Sequence, residues 1–370
     1  MLYVWLLGMV VSLLNIKRND SKFRWIEIGC LVVIMSCNNL AGDEVNLYQD
    51  YQKFFRGTHE VYDVTSYFFS ELLARPLAHF GASFGIFNFV LIAVSFFLID
   101  HALQRCDVNK SVVYLMFSLT SALLDATLMR QFVAFAVALY AFSELMQEKI
   151  KMTRYITLIV LSTCIHFSMI VFLLYVTINL GKKQVRWFCA IITFLLLVIV
   201  YMNDKRIPGL DFILRVFGGV KFTYYSTTGG VNYGWLYTLI IWLLMVLVSN
   251  IIFRDMHACT DDLTYIRIVR IDYLILLSGI LVTFSMITMI YSRLMRPVSW
   301  LLFMEISYWY KFRGRIVRKR RISVATLYVI AFLAIYGVVY NHVIFDYQSC
   351  GEKVLQGIPF WNEDYLRLMS

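Results

Sequence analysis

Five side chains spread along 370 residues could share one piece of chemistry: Asp43, Arg130, His166, Arg293 and Arg296. A guanidinium presents a rigid fork of N–H donors that matches phosphate oxygens, a diphosphate in particular. A carboxylate or an imidazole can take the proton from an attacking hydroxyl. Cations that hold a phosphate and a base that frees a nucleophile are the parts of a group transfer. These residues lie too far apart in the chain for local structure to assemble them, so the fold must do so.

Each candidate also has a plainer reading. Asp43 and Glu44 open an acidic, tyrosine-bearing stretch that runs through Tyr48 to Tyr51. Such a pair either places a base where a membrane site meets water or complements a helix dipole. Arg130-Gln131 lies between apolar runs, where an arginine costs a few kcal/mol to insert and so needs a partner or a wet cavity. Asp125 is the nearby carboxylate, but five residues of helix turn it about 140° away from Arg130, which makes a direct pair poor. His166, followed by Ser168, is either a packed polar side chain or a base near a helix break. Arg293 and Arg296 flank a turn ending in Pro297 and either hold phosphate or mark the end of a span. Lys221 and Tyr224, beside Thr227-Thr228-Gly229-Gly230, suit sugar contact or an ordered interfacial loop.

The elements that must position these residues are membrane spans. The chain is 60% hydrophobic and only 16% charged, against roughly a quarter charged in a soluble domain. Its apolar runs approach the 17–25 residues, roughly, that cross a bilayer as helices, because hydrocarbon cannot satisfy a bare backbone. The predicted spans are 3–15, 25–41, 83–99, 112–129, 132–145, 155–180, 187–202, 234–253, 271–291, 294–310 and 322–340. The sequence therefore predicts one all-α polytopic membrane bundle over residues 1–370. It has a first external loop at 42–82, a second at 204–233 and an external tail at 342–370. No internal repeat stands out.

Charge sets the topology. Lys17, Arg18, Lys22 and Arg24 follow the first span and no Lys or Arg precedes it, the reverse of a cleavable signal peptide. The run 155–180 is interrupted at Cys164-Ile165-His166-Phe167-Ser168. Broken there into two short segments, it gives about 12 membrane segments with both termini outside. It also keeps 22 of the 34 Lys and Arg in inner loops, including seven between Lys311 and Arg321. All five candidate residues then fall at or near the outer face. Basic loops between spans explain the net charge of +10 without nucleic acid. Seven cysteines show no CxxC or Cys/His spacing, so no structural metal and no disulfide framework are expected. Lys311–Arg321 reads as a topology anchor in contact with membrane lipid.

The order of these features resembles the EpsG family, the Wzy-type polymerases of O-antigens, capsules and exopolysaccharides. The resemblance is carried by Gly42-Asp43-Glu44 through Tyr48 and Tyr51, then Leu128-Met129-Arg130-Gln131-Phe132, Ile165-His166-Phe167-Ser168, Tyr291-Ser292-Arg293 and Ile358-Pro359-Phe360. Glu60-Val61-Tyr62-Asp63 departs from the Glu-Pro-Gly-like stretch of that family. The resemblance implies a GT-C-like, metal- and cofactor-independent glycosyltransferase in the bacterial inner membrane, joining undecaprenyl-diphosphate-linked oligosaccharides at the outer face. It also implies a separate chain-length regulator as partner. In that setting Arg130, Arg293 and Arg296 would bind diphosphate, with Asp43 or His166 as base and Glu44, Tyr48, Lys221 and Tyr224 as substrate contacts. Two alternatives are a flippase of lipid-linked oligosaccharide, which should carry polar groups through the membrane and often a repeat, and an acyl or single-sugar transferase. The topology makes a direct prediction: a reporter fused after Arg321 will report the cytoplasm, and an external signal would invert the arrangement.

Overall fold

A computed structural model describes residues 1–37, 44–56, 67–179, 234–256, 261–282, 294–315 and 319–338, with scattered positions between 184 and 202. The described residues are helical throughout and contain no strand. In order they form α1 (Leu2–Arg18), α2 (Ser21–Ser36) and α3 (Glu44–Arg56). A π-helical turn (Phe68–Ala74) then runs into α4 (Arg75–His79). Next come α5 (Phe84–Arg105), α6 (Lys110–Thr120), α7 (Ala122–Ala126), α8 (Met129–Leu145) and α9 (Met152–Ile165). After a 3-10 segment (Phe167–Asn179) follow α10 (Gly234–Met256), α11 (Asp262–Leu277), α12 (Met295–Phe312) and α13 (Lys319–Val338). Helix α5 and the stretch Trp235–Met256 of α10 are long and apolar enough to cross a bilayer.

Local sequence explains the ends. Asn19 takes the left-handed conformation (φ 51°) that closes α1, and the Asp20 carboxylate caps α2 by accepting from Lys22 N at 2.8 Å. Ser83, Asn109 and Asp261 cap α5, α6 and α11 in the same way. Outside the spans, the bonds from Thr264 hold the Asp261 carboxyl below the usual range. The span predicted at 112–129 is interrupted in the structure, since α6 stops at Thr120 and α7 is a short piece beyond Ser121. Ser118, Thr120 and Thr127 hydroxyls each donate to carbonyls three or four residues back, at 2.7–2.8 Å, and loosen the helix there. Of the segment predicted as the first external loop, the described residues form α3, the π-turn and α4. The predicted second external loop and tail lie outside the described residues.

The packing inverts that of a soluble protein. Large apolar side chains such as Tyr3, Leu7, Phe97, Leu243 and Leu327 point outward, while Glu27, Glu305 and Arg296 are buried. Helix α8 lies between α5 and α9, and α12 packs against α6, α10 and α11. One end of this bundle is clamped by charge. Lys110 binds Asp100 at 2.7 Å, Lys311 binds Asp107 at 2.8 Å, and Ser307 Oγ accepts the Asn109 N–H at 2.6 Å. Arg267 and Arg270 from α11 donate to the carbonyls of Met146, Leu145 and Gln147 at 2.6–3.2 Å, capping the C-terminus of α8. The other end is where the candidate site residues gather.

Close packing sets a stability test. A Cβ at Gly279 would sit 2.5 Å from the Trp242 ring, whose indole N–H already donates to Ile275 O at 2.9 Å. Gly279→Ala is expected to cost about 1–3 kcal/mol, read as earlier unfolding of purified protein in detergent. An unchanged midpoint would show that the ring moves aside freely.

Candidate active site

The corner between α7 and α8 carries Arg130. Its Nε donates to the Ile165 carbonyl at 2.9 Å, and its guanidinium carbon lies 5.5 Å from the centre of the Phe69 ring. Ile165 ends α9, so its carbonyl is one of the four that a helix leaves without an internal partner. Arg130 thereby caps α9 with a positive charge at the dipole's negative end. Ser162 Oγ donates to Ala134 O at 2.6 Å and fixes the two helices in register. The Phe69 face adds a cation–π contact.

The next residue is His166. The chain leaves the helix here (φ −147°, ψ 114°) and continues as the 3-10 segment, which turns back along α9. The Tyr155 hydroxyl donates to the Phe172 carbonyl across this hairpin, and Tyr175 exchanges a 2.6 Å hydrogen bond with Ser278 on the far side. His166 Nδ1 is 2.7 Å from Ser168 Oγ. A serine hydroxyl there fixes the ring's orientation and couples its tautomer to the outer nitrogen. Arg130 and the His166 break, 36 positions apart in the sequence, are thus brought together by one side-chain-to-carbonyl bond.

Arg296 sits behind them and is differently engaged. It is buried, with Nη1 bonded to the Asp125 carboxylate and Nη2 to Gln131 Oε1 at 2.6 Å. Asp125 and Gln131 flank Arg130, so α12 grips both sides of the corner that carries it. One turn further along α12, Trp300 packs on Phe117 at 4.7 Å and on Phe135 at 5.4 Å. The carboxylate too far round the helix for Arg130 is therefore the partner of Arg296. Reading 112–134 alone could not find this pair, because its other half lies 171 positions away.

Tyr48 and Tyr51 belong to a supporting layer. Tyr48 is buried edge-on against Phe84 at 5.5 Å. Tyr51 stacks on Phe87 at 5.0 Å and donates to Ala82 O at 2.7 Å. Phe87 in turn meets Phe69 at 5.8 Å, so an aromatic chain links the first external loop to Arg130. Nearby, Glu71 accepts from Arg75 at 2.5 Å and, outside the spans, raises its already high pKa further. Phe69 carried no signal in the sequence beyond being aromatic. Asp43, Arg293, Lys221 and Tyr224 lie outside the described residues, as does the side chain of Glu44, the first residue of α3. Among the described residues no group of three or more His, Cys, Asp or Glu could hold a metal ion.

With this geometry in place, comparison with known proteins gives one result. The profile of the EpsG family matches residues 27–349, most of the chain. No curated protein and no solved structure matches.

The Asp125–Arg296 pair yields a sharp expectation. Asp125→Ala leaves a buried guanidinium without its carboxylate and should cost about 3–5 kcal/mol. The double change Asp125→Ala with Arg296→Met should recover part of that loss, measured as folded protein surviving detergent extraction. Additive losses would show that the two residues do not act as a pair.

Proposed function

This chain belongs to the EpsG family, a Wzy-type polymerase-like family, and on that premise we propose that it polymerises lipid-linked oligosaccharide repeat units at the outer face of the inner membrane. The observation that carries this reading is the convergence at one end of the bundle: Arg130 is held between the Phe69 ring and the Ile165 carbonyl, next to the break at His166. The described basic residues at the opposite end include Lys149, Lys151 and Lys311, which by the positive-inside rule supports placing that end in the cytoplasm.

In the proposed reaction an acceptor sugar hydroxyl attacks the anomeric carbon of the growing chain. The new C–O bond forms as the bond from that carbon to the diphosphate oxygen breaks. The electron pair leaves on the lipid diphosphate, and the hydroxyl proton passes to a base. Negative charge grows on the leaving phosphate, so a fixed guanidinium that binds it more tightly in the transition state speeds the step. Arg130 is assigned that role, with Arg293, two positions before α12 in the sequence, as its companion. Arg296 is assigned to positioning, since its two terminal nitrogens already serve Asp125 and Gln131. His166 and Asp43 are the two candidate bases. His166 is the one whose position near Arg130 is described, and its Ser168 partner orients the ring.

The test is the size profile of surface glycan from cells lacking this chain and resupplied with it. Wild type should restore a ladder, whereas Arg130→Ala should lower polymerisation about a hundredfold and leave a single capped repeat unit at normal protein level. A full ladder with Arg130→Ala would remove the diphosphate role. Loss of all surface glycan in the deletion strain, with lipid-linked units trapped on the cytoplasmic side, would identify a flippase instead.

A further inference from the structure

At the end of the bundle away from Arg130, two arginines from different helices share one carboxylate. Arg105, at the end of α5, donates through Nη1 to Glu144 Oε1 at 2.6 Å and to the Tyr140 hydroxyl at 3.1 Å. Arg154, in the first turn of α9, donates through Nη2 to the same hydroxyl at 2.9 Å and places Nε 3.0 Å from the same Oε1. Both guanidiniums lie over the Tyr140 ring, at 5.2 and 5.6 Å from its centre, and the His101 ring stacks against it at 5.7 Å.

The charges do not balance. Glu144 is buried, with 1% of its side chain exposed, while 46% of Arg154 is exposed. Two guanidiniums against one carboxylate leave a net positive charge. Nη1 of Arg154 and Nε and Nη2 of Arg105 donate to none of the described residues. Exposed Lys149 and Lys151, against the exposed Glu148 beside them, lie just before α9 and add one further net positive charge. A structural ion pair needs no such surplus. A second charge-bearing group with phosphate geometry would complete it.

The surroundings narrow the class of that group. Helices α5 and α9 both pack on α8, and we read the line along which they flank it, through half-buried Tyr140, as a groove. From His101 the α5 stripe continues through Phe97 and Val94, at helical spacing and exposed. From Arg154 the α9 stripe continues through half-buried Leu158 to exposed Leu161. A cationic seat at the head of an apolar groove has the polarity of a phospholipid, with phosphate at one end and hydrocarbon at the other. We propose that this groove binds an anionic phospholipid, its phosphate headgroup on Arg105 and Arg154 and its acyl chains along the α5 and α9 stripes. The site lies at the opposite end from Arg130 and does not depend on the assigned reaction.

The experiment uses the full chain, stripped of lipid in detergent and supplied with phosphatidylglycerol, phosphatidylcholine or inorganic phosphate. Retention is read by native mass spectrometry and stability by thermal unfolding. Wild type should retain phosphatidylglycerol over phosphatidylcholine and unfold at higher temperature with it. Arg154→Met, which keeps a stem against Tyr140, should weaken that retention about fivefold. Equal retention of both lipids, or unchanged phosphatidylglycerol retention by Arg154→Met, would overturn the proposal. Stabilisation by inorganic phosphate alone that matches phosphatidylglycerol would overturn the lipid assignment and mark a free-phosphate site. If Arg154→Met does not fold, a salt titration of wild type decides: retention should fall as salt screens the arginines, and salt-independent retention would sink the idea.

Discussion

Asp125, a carboxylate buried among apolar helices, meets the guanidinium of Arg296. That requirement shapes the end of the bundle where the candidate site lies. Desolvating both groups is costly, and the cost is offset only when geometry is good and the remaining donors are used. Arg296 uses Nη2 on Gln131, while its buried Nε has no partner among the described residues, and its two bonds fix Asp125 and Gln131, on either side of Arg130, to α12. Trp300 continues the grip one turn deeper. Arg130 then projects from a corner that cannot drift, toward the end of α9. The short, interrupted helices of this region, α6 and α7, are tolerated because the backbone stays paired across Ser121, whose N–H donates to Phe117 O and whose carbonyl accepts the Asp125 N–H.

The two ends of the bundle use positive charge for different purposes. At the basic end, Arg267 and Arg270 are spent on backbone carbonyls of α8 and hold helices in place. Lys110 closes the Asp100 carboxylate of α5, and Lys311 that of Asp107 just beyond it. At the other end, the Nε of Arg130 donates to a helix terminus and its guanidinium rests on an aromatic face. Its position is set from the side by Phe69, which the Tyr51–Phe87 stack carries in from the first external loop. A loop that reads as polar and acidic thus contributes its aromatic residues to the packing behind the site.

Much of the scaffold could be read from the chain. Apolar runs placed α1, α5, α8, α10, α12 and α13 within a few residues, since the hydrophobic requirement of a span is local and additive. The departure from helix at His166 was legible as well: a charge-capable residue in the middle of a long apolar run, with basic residues demanding that the chain turn back. The interruption at Ser121 was not legible, because three hydroxyl-bearing residues in an apolar run are equally compatible with a continuous helix.

Composition and the order of motifs are enough to assign the class of the molecule, a helical membrane protein of the EpsG family, and to mark Arg130 and His166 as polar residues whose place between apolar runs needs a reason. Tertiary structure alone decided the partnerships. Arg130 could have paired with Asp125 or with a distant group, and Arg296 could have faced a ligand. The fold gave Asp125 to Arg296, across 171 positions, and gave Arg130 the Ile165 carbonyl. Helical periodicity states which face of a segment is apolar, but it carries no information about which segment lies opposite. A buried charge requires a partner without naming it, and only the packing of α8 against α9 and α12 supplies the name.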